Sequence, residues 1–360
     1  MKTLEKIEAN SAIINGNSQH SWNDFIINGE NLDALHLLQD NFEGKIDLVY
    51  IDPPFASNNV FTFSENRHNT ISSKKDGKIA YIDKLRGDEF LEFLRVRLIL
   101  IKKLMSEKGS IYLHIDYKVG HYVKILMDEI FGIENFRNDI TRVKCNPKNF
   151  TRNGYGNIKD MVLFYSKGKE IIWNEPKTRY SKQDIEKLFP KTDEQGRRYT
   201  TVPLHAPGET ENGATSKAFR GILPPTGRHW RTDVANLEEL DNQGLVEWSS
   251  NGNPRKKIFA DEQFGKRVQD IWEYKDPQYP IYPTEKNLDM LDLIVKTSSN
   301  EDSIVLDCFC GSGTTLQAAK MNKRKWIGVD KSEKALEACL ERLNCDGTSL
   351  FHRDIQIINI

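Results

Sequence analysis

Apolar residues recur along the chain in two rhythms that alternate. Asp24 to Asn28 (DFIIN) is a short run of strand type, and Leu32, Leu35 and Leu38 then follow at helical spacing within Asn31 to Gln39. Asp47 to Ile51 (DLVYI) reads as a buried strand that stops at Asp52-Pro53-Pro54, where two prolines cannot continue a central strand and the chain must turn. Helical periodicity resumes from Asp88 to Met105, Gly109 to Ile115 predicts another strand, and Tyr117 to Phe131 another helix. Order returns near the far end. A helix is predicted over Leu288 to Thr297, and a strand over Ser303 to Leu306 that ends at Asp307. A helix over Thr314 to Met321, a strand over Lys325 to Val329 and a helix over Ser332 to Leu343 follow. Strand–helix–strand alternation at these lengths predicts an α/β fold with a doubly wound, mostly parallel sheet.

Two segments break the rhythm. Residues 56–87 are rich in Ser, Asn, Lys and Gly, a polar loop long enough to be a functional lid or a disordered segment. Residues 137–270 carry scattered Pro and Gly with weak periodicity, the mark of an irregular insertion. The predicted division is therefore 1–136, an inserted 137–270, and 271–360, which suits a chain of 360 residues.

Net charge, −1 from 51 basic and 52 acidic residues, says nothing alone. Its distribution says more: positions 137–268 hold 24 Lys+Arg and 17 Asp+Glu, or +7, which leaves −8 for the rest. A basic middle can hold an anionic polymer, and a solvated polar face is the alternative. Arg137, Arg142, Lys144, Lys148, Arg152 and Lys159 face a single acid, Asp139, over that stretch, and with Arg255-Lys256-Lys257 they are the candidate phosphate contacts. Five cysteines without paired CxxC spacing argue against a disulfide framework or a zinc site, so no metal is expected. The start, MKTLEKIEAN, has no secretory pattern, and no apolar run approaches the about 20 residues of a membrane span, so a cytoplasmic protein is expected.

Chemistry concentrates at two turns. Asp307-Cys308-Phe309-Cys310-Gly311-Ser312-Gly313-Thr314 joins a predicted strand to a predicted helix. Glycines there let backbone approach a ligand, and the helix start offers free N–H groups. The next strand ends in Gly328-Val329-Asp330, and an acid at that position can accept hydrogen bonds from ribose hydroxyls. No Lys follows Gly313 as a phosphate-binding P-loop requires, and no third glycine completes a dinucleotide loop. A nucleoside ligand without phosphates fits better, with a plain structural turn as the alternative. At the other turn, Asp52-Pro53-Pro54-Phe55, two prolines remove both backbone donors. An acceptor-rich corner followed by a flat ring suits an amino group on an aromatic base, and a rigid capped turn is the plainer reading. His114, Asp116 and His121 form a further acid–base candidate, for which ordinary hydrogen-bonded structure is favoured.

DPPF at one strand end, with FCGSGTT and GVD on others, resembles the DNA amino-methyltransferases that modify adenine N6 or cytosine N4. The catalytic motif precedes the cofactor loop, as in the permuted beta group, and Tyr282 to Asn287 (YPTEKN) resembles that group's HPTQKP segment. FLRVRLILIKKLMSEKGSIYLHID and VKILMDEIFGIENFRNDI resemble the modification subunits of restriction-modification systems and their adenine-specific relatives. Cys308, Tyr282 and Glu30 depart from the group's commoner Pro, His and Asp.

The resemblance implies a Rossmann-like methyltransferase sheet with residues 137–270 as target-recognition region, and S-adenosylmethionine as cofactor. Asp52, Pro53, Pro54 and Phe55 would be catalytic, gripping a base turned out of duplex DNA. Glu30, Thr284, Lys286, Asp307, Phe309, Gly311, Ser312, Gly313, Thr314 and Asp330 would bind the cofactor. Adenine is preferred because the motif begins with Asp. A cognate restriction endonuclease and a homodimer are the further partners implied. The competing functions are a cytosine-N4 or RNA amino-methyltransferase, and a DNA-binding specificity component without catalysis. A nicotinamide oxidoreductase fails on the missing third glycine.

Overall fold

The computed structural model describes residues 24–54, 60–63, 78–82, 87–147, 153–278, 280, 285–344 and 355–360. In chain order the first half gives β1 (Asp24–Asn28), α1 (Asn31–Phe42), β2 (Ile46–Ile51), β3 (Val60–Phe63), β4 (Lys78–Ile82), α2 (Gly87–Leu104), β5 (Met105–Ile115), α3 (Gly120–Phe131), β6 (Phe136–Val143) and β7 (Lys159–Ser166). An inserted unit, Lys177–Val268, holds β8 (Lys177–Thr178), α4 (Lys182–Leu188), β9 (Lys191–Thr192), β10 (Arg198–Pro203), β11 (His205–Pro207), β12 (Arg228–Trp230), α5 (Val234–Asn242), β13 (Val246–Trp248), β14 (Pro254–Phe259) and β15 (Lys266–Arg267). The main unit resumes with β16 (Ile271–Trp272), α6 (Leu288–Ser298), β17 (Ile304–Asp307), α7 (Thr314–Met321), β18 (Lys325–Asp330), α8 (Glu333–Asn344) and β19 (Ile355–Asn359).

Nine strands of the main unit form one sheet in the order β16-β6-β7-β5-β2-β17-β18-β1-β19. Only β7 runs against the others: it is antiparallel to β5 and β6, and every remaining neighbour pair is parallel. The doubly wound, mostly parallel sheet expected from the alternation is thus present. Side chains alternate across the strands, so each face needs its own cover. Val49, Ile51, Ile111, Leu113, Leu306, Ile327 and Val329 pack with Leu35, Leu38, Leu94, Leu98, Val123 and Met127 of α1, α2 and α3. On the opposite face the Tyr112 hydroxyl meets Ser298 of α6 at 2.8 Å. Each fully buried Leu or Ile contributes about 1.5–3 kcal/mol, so this double core anchors the strand ends firmly.

The sequence-based division at 137 moves. β6 and β7 are strands of the main sheet, and the separate unit begins at Lys177. The reason lies in DMVLFYS, Asp160 to Ser166, which is buried throughout and pairs with β5 on one side and β6 on the other. The inserted unit has its own small core of Leu204, Phe219, Trp230, Leu237 and Val246. The β3–β4 hairpin falls inside the expected polar loop.

Candidate active site

Three carboxylates follow or close three neighbouring strands. Asp52 follows β2, Asp307 closes β17, Asp330 closes β18, and β17 lies between the other two. The chain winds away from β2 toward β5 on one side and from β17 toward β18 on the other. The crevice between β2 and β17 is therefore the topological switch point, where open α/β sheets bind ligands.

At the first of these ends, Pro53 is buried and neither proline has an N–H to offer. The Lys286 ammonium pairs with Oδ2 of Asp52. Oδ1 of Asp52 is buried and, among the described residues, has no hydrogen-bond partner. A desolvated acceptor left bare costs about 1–3 kcal/mol, so it marks a place prepared for a donor from outside.

The glycine loop is held from both sides. Asp307 Oδ1 accepts the Phe309 N–H at 3.0 Å, and its Oδ2 accepts the Thr315 hydroxyl at 2.6 Å. The Cys310 N–H reaches Val329 O at 3.1 Å, which ties the loop to β18. Asp330 accepts the Gly311 N–H at 3.0 Å and the Ser332 N–H at 2.9 Å, one on each oxygen. Each carboxylate oxygen has a second lone pair, so Asp330 retains capacity for a pair of hydroxyls. Gly311 and Gly313 stand at φ +49° and +75°, left-handed conformations that L side chains rarely adopt. A Cβ on Gly313 would lie 2.4 Å from Cys339 Sγ of α8. From α8, Arg342 donates to Ser312 O at 2.8 Å and pairs with Glu285 at 2.8 Å.

Burial pushes the Asp307 carboxyl up to about 7, against the hydrogen bonds from Thr315 and Phe309, and the charges of Asp52 and Asp330 push it further. Burial likewise raises Asp330, opposed by the N–H groups of Ser332 and Gly311. The charges of Asp52 and Asp330 reach Asp307, so the corner and the glycine loop adjoin.

Phe309 is half-buried beside Phe93, with ring centroids 6.1 Å apart, and the Arg97 guanidinium lies 3.5 Å over Phe93. Arg97 also donates to Glu30 at 2.9 Å and to Asn31 at 2.6 Å, and Asn31 donates to Cys308 O at 3.2 Å. Glu30 is thus engaged by Arg97, and by Lys331 at 3.1 Å, at the loop's rim. Thr314 is buried at the first turn of α7.

A buried polar chain runs from the Asp52 strand across the sheet. His114 Nδ1 meets the Tyr50 hydroxyl at 2.9 Å and its Nε2 meets Asp160 at 3.2 Å. Burial keeps His114 below its ordinary pKa and Tyr50 well above its own, so both are neutral. One arrangement then satisfies all three: Tyr50 O–H donates to Nδ1, and Nε2–H donates to Asp160. Burial would raise Asp160, yet bonds from His114 and from Lys144, at 2.6 Å, hold it well below the carboxylate range. The structural reading of His114 thus stands. His121 is exposed and Asp116 accepts the Lys118 N–H, so the three do not form one cluster.

The expected surface cations fare differently. Arg142 is fully buried and donates to Tyr274 O at 2.8 Å and to Asp276 at 2.5 Å. Lys144 is pinned on Asp160 and lies 3.9 Å from Asp116. Neither is the free surface cation expected of it, because β6 is a strand of the main sheet. Arg137 donates to Gly168 O and Lys169 O at 3.0 and 2.8 Å, whereas Lys159 is exposed. Phe55, Thr284, Lys148 and Arg152 lie outside the described residues. Sequence reasoning missed Arg97, Asn31, Thr315 and Arg342. Only Arg342 left a signal, a charge in helical register with buried Ala335 and Cys339.

Fold and site together define an α/β domain with a glycine loop and a proline-stiffened carboxylate turn at adjoining strand ends. The chain belongs to the N6_N4_Mtase family of DNA methylases, whose sequence profile matches residues 46–341. It is 41% identical over 326 residues to the type II methyltransferase M.EcaI of Enterobacter cloacae, covering 89% of this chain and 69% of that protein. It is 28% identical over 348 residues to the StyLTI Mod subunit, a type III restriction-modification enzyme of Salmonella typhimurium, covering 87% of this chain and 51% of the subunit. The chain thus spans between half and about two thirds of these relatives' length. Among solved structures, the M1.HpyAVI–SAM complex is similar with a TM-score of 0.48 and 17% identity, covering 89% of this chain and 98% of that one. No helix among the described residues is long and apolar enough to cross a membrane.

Proposed function

We propose that the protein transfers a methyl group from S-adenosylmethionine to the exocyclic N6 amine of an adenine turned out of duplex DNA, as part of a cytoplasmic restriction-modification system. The observation that carries this reading is the bare, buried Oδ1 of Asp52, in a corner whose prolines offer carbonyls and no donors. An amine with two N–H groups supplies the missing donor. Turning the base out of the stack costs a few kcal/mol, and the ring of Phe55, next in sequence, offsets part of it by stacking, worth roughly 1–3 kcal/mol.

Asp52 and the Pro53 carbonyl accept the two amine hydrogens, which draws the nitrogen lone pair out of conjugation. The residues present fit the cofactor: left-handed glycines admit close backbone approach, Asp330 has lone pairs for ribose hydroxyls, and half-buried Phe309 offers a face for an adenine ring. Bound there, S-adenosylmethionine supplies a methyl group on a cationic sulfur. Lys286, paired with Oδ2, holds Asp52 in place until the amine arrives. Most of the rate then comes from positioning and preorganised electrostatics, with no covalent bond to the protein. A cognate restriction endonuclease and a second copy of the chain are the partners this reading adds.

The test is nucleoside mass spectrometry of duplex DNA incubated with the protein and S-adenosylmethionine. N6-methyladenine is expected. N4-methylcytosine would overturn the choice of base, and unmodified DNA would overturn the activity.

A further inference from the structure

Four cations of the inserted unit are matched by acids. Lys191 pairs with Glu247, Arg197 with Asp261 at 2.9 Å, Arg220 with Asp241 at 2.8 Å and Lys266 with Asp184 at 2.9 Å. Three arginines without such a partner are gathered around one residue. The strand running from β10 into β11 has Arg255 of β14 opposite Pro203, Arg231 hydrogen-bonded through its backbone to Leu204, and Arg228 of β12 opposite Pro207. His205 sits in their midst. Arg228 donates to His205 Nδ1 at 3.1 Å, Arg231 to Pro203 O at 3.1 Å, and Arg255 to Thr201 Oγ1 and O at 2.8 and 2.7 Å. Every one of these acceptors is neutral. Glu247, which faces Arg255 across the strands, is taken by Lys191 and the Tyr199 hydroxyl. Among the described residues no carboxylate pairs with any of the three guanidiniums.

We propose that Arg228, Arg231 and Arg255, gathered around His205, form a seat for one backbone phosphate of duplex DNA. The inference rests on the reading of the chain as a DNA methylase and gives the inserted unit an anchoring contact. Three like charges brought together without a counter-ion repel one another, so folding alone gives no reason for the arrangement. Each guanidinium is fixed by one or two N–H groups and keeps others unspent. That is the preorganised fork that suits phosphate oxygens, which carry the anchoring contacts to DNA and no sequence information. Burial and the three neighbouring charges push the His205 pKa below its ordinary value, so the imidazole stays neutral: Nδ1 accepts from Arg228 and Nε2–H remains a donor.

The experiment measures affinity for a mixed-sequence duplex by fluorescence anisotropy over a salt series. It compares the unaltered protein, the triple variant Arg228→Gln/Arg231→Gln/Arg255→Gln, the triple lysine variant, and Arg220→Gln as a paired-cation control. The glutamine triple should bind roughly tenfold or more weakly, with a slope of log affinity against log salt shallower by about 1. The lysine triple and Arg220→Gln should keep most of the slope. The positions methylated on a plasmid, mapped by methylation-sensitive sequencing, should not change. A folded glutamine triple, checked by circular dichroism, with the unaltered slope would overturn the seat. So would a changed set of methylated positions, which would mean base reading in place of phosphate anchoring. Loss of slope in the lysine triple equal to that in the glutamine triple would also overturn it, by showing that charge is not what matters. An unaltered protein that binds no duplex would fail at the earlier step and overturn the DNA reading itself.

Discussion

Replacing Asp307 by Asn should change how stability depends on pH, and the structure sets the size of the effect. Burial pushes the Asp307 carboxyl up to about 7, against 3.8 for an ordinary aspartate. A raised acid keeps its proton in the folded state after the unfolded chain has lost it. Its contribution is fully present below pH 3.8 and is lost as pH rises through about 7. At about 1.4 kcal/mol for each pH unit, the whole interval has a ceiling of about 4 kcal/mol, of which about 3 falls between pH 5 and pH 8. That is a large share of the about 5–15 kcal/mol that holds a domain folded. Asn is close in shape: its oxygen can accept the Phe309 N–H and its amide can donate to Thr315, whose hydroxyl turns to receive it. The assay is urea unfolding, followed by circular dichroism in the cofactor-free protein, at pH 5, 6, 7 and 8 for both proteins. Stability of the Asn variant relative to the parent should climb steadily from pH 5 to about 7 and then level. Parallel profiles across that range would refute the reasoning, since other groups titrate equally in both.

Three further outcomes follow from named contacts. Gly313→Ala imposes a left-handed alanine and places its methyl 2.4 Å from Cys339 Sγ, so it should destabilise by about 2–5 kcal/mol, and Cys339→Ala in the same chain should restore the steric part; a thermal-melt double-mutant cycle reads both. Asp160→Asn removes the charge that holds Lys144 and faces buried Arg142 at 3.8 Å, and should cost about 3–5 kcal/mol in a urea titration at pH 7. Lys286→Ala strips Asp52 of its counter-ion, and turnover in a methyl-transfer assay should fall at least about tenfold, the effect of about 1.4 kcal/mol on the barrier.

Legibility followed locality. The alternation from DFIIN to the last helix gave the central strands because each reads within its own window, and the two turns stood out because Pro and Gly constrain the backbone wherever they occur. DMVLFYS is a strong apolar run, but its place in the main sheet depends on pairing with β5 from about fifty residues upstream, which no local pattern reveals. The edge strand β19 depends on pairing with β1 from the other end of the chain. Arg142 reads as a surface cation beside Lys144 and becomes buried only because Asp276, Tyr274 and Asp160 gather around it. Arg97 and Asn31, likewise, become part of the site through contacts across α1 and α2 that spacing does not encode.

The most direct test concerns the corner at the end of β2. In Asp52→Ala, tritiated methyl transfer to duplex DNA and equilibrium binding of S-adenosylmethionine are measured side by side. The account predicts binding within a few-fold of the parent and no transfer above background; transfer at the parental rate would contradict it.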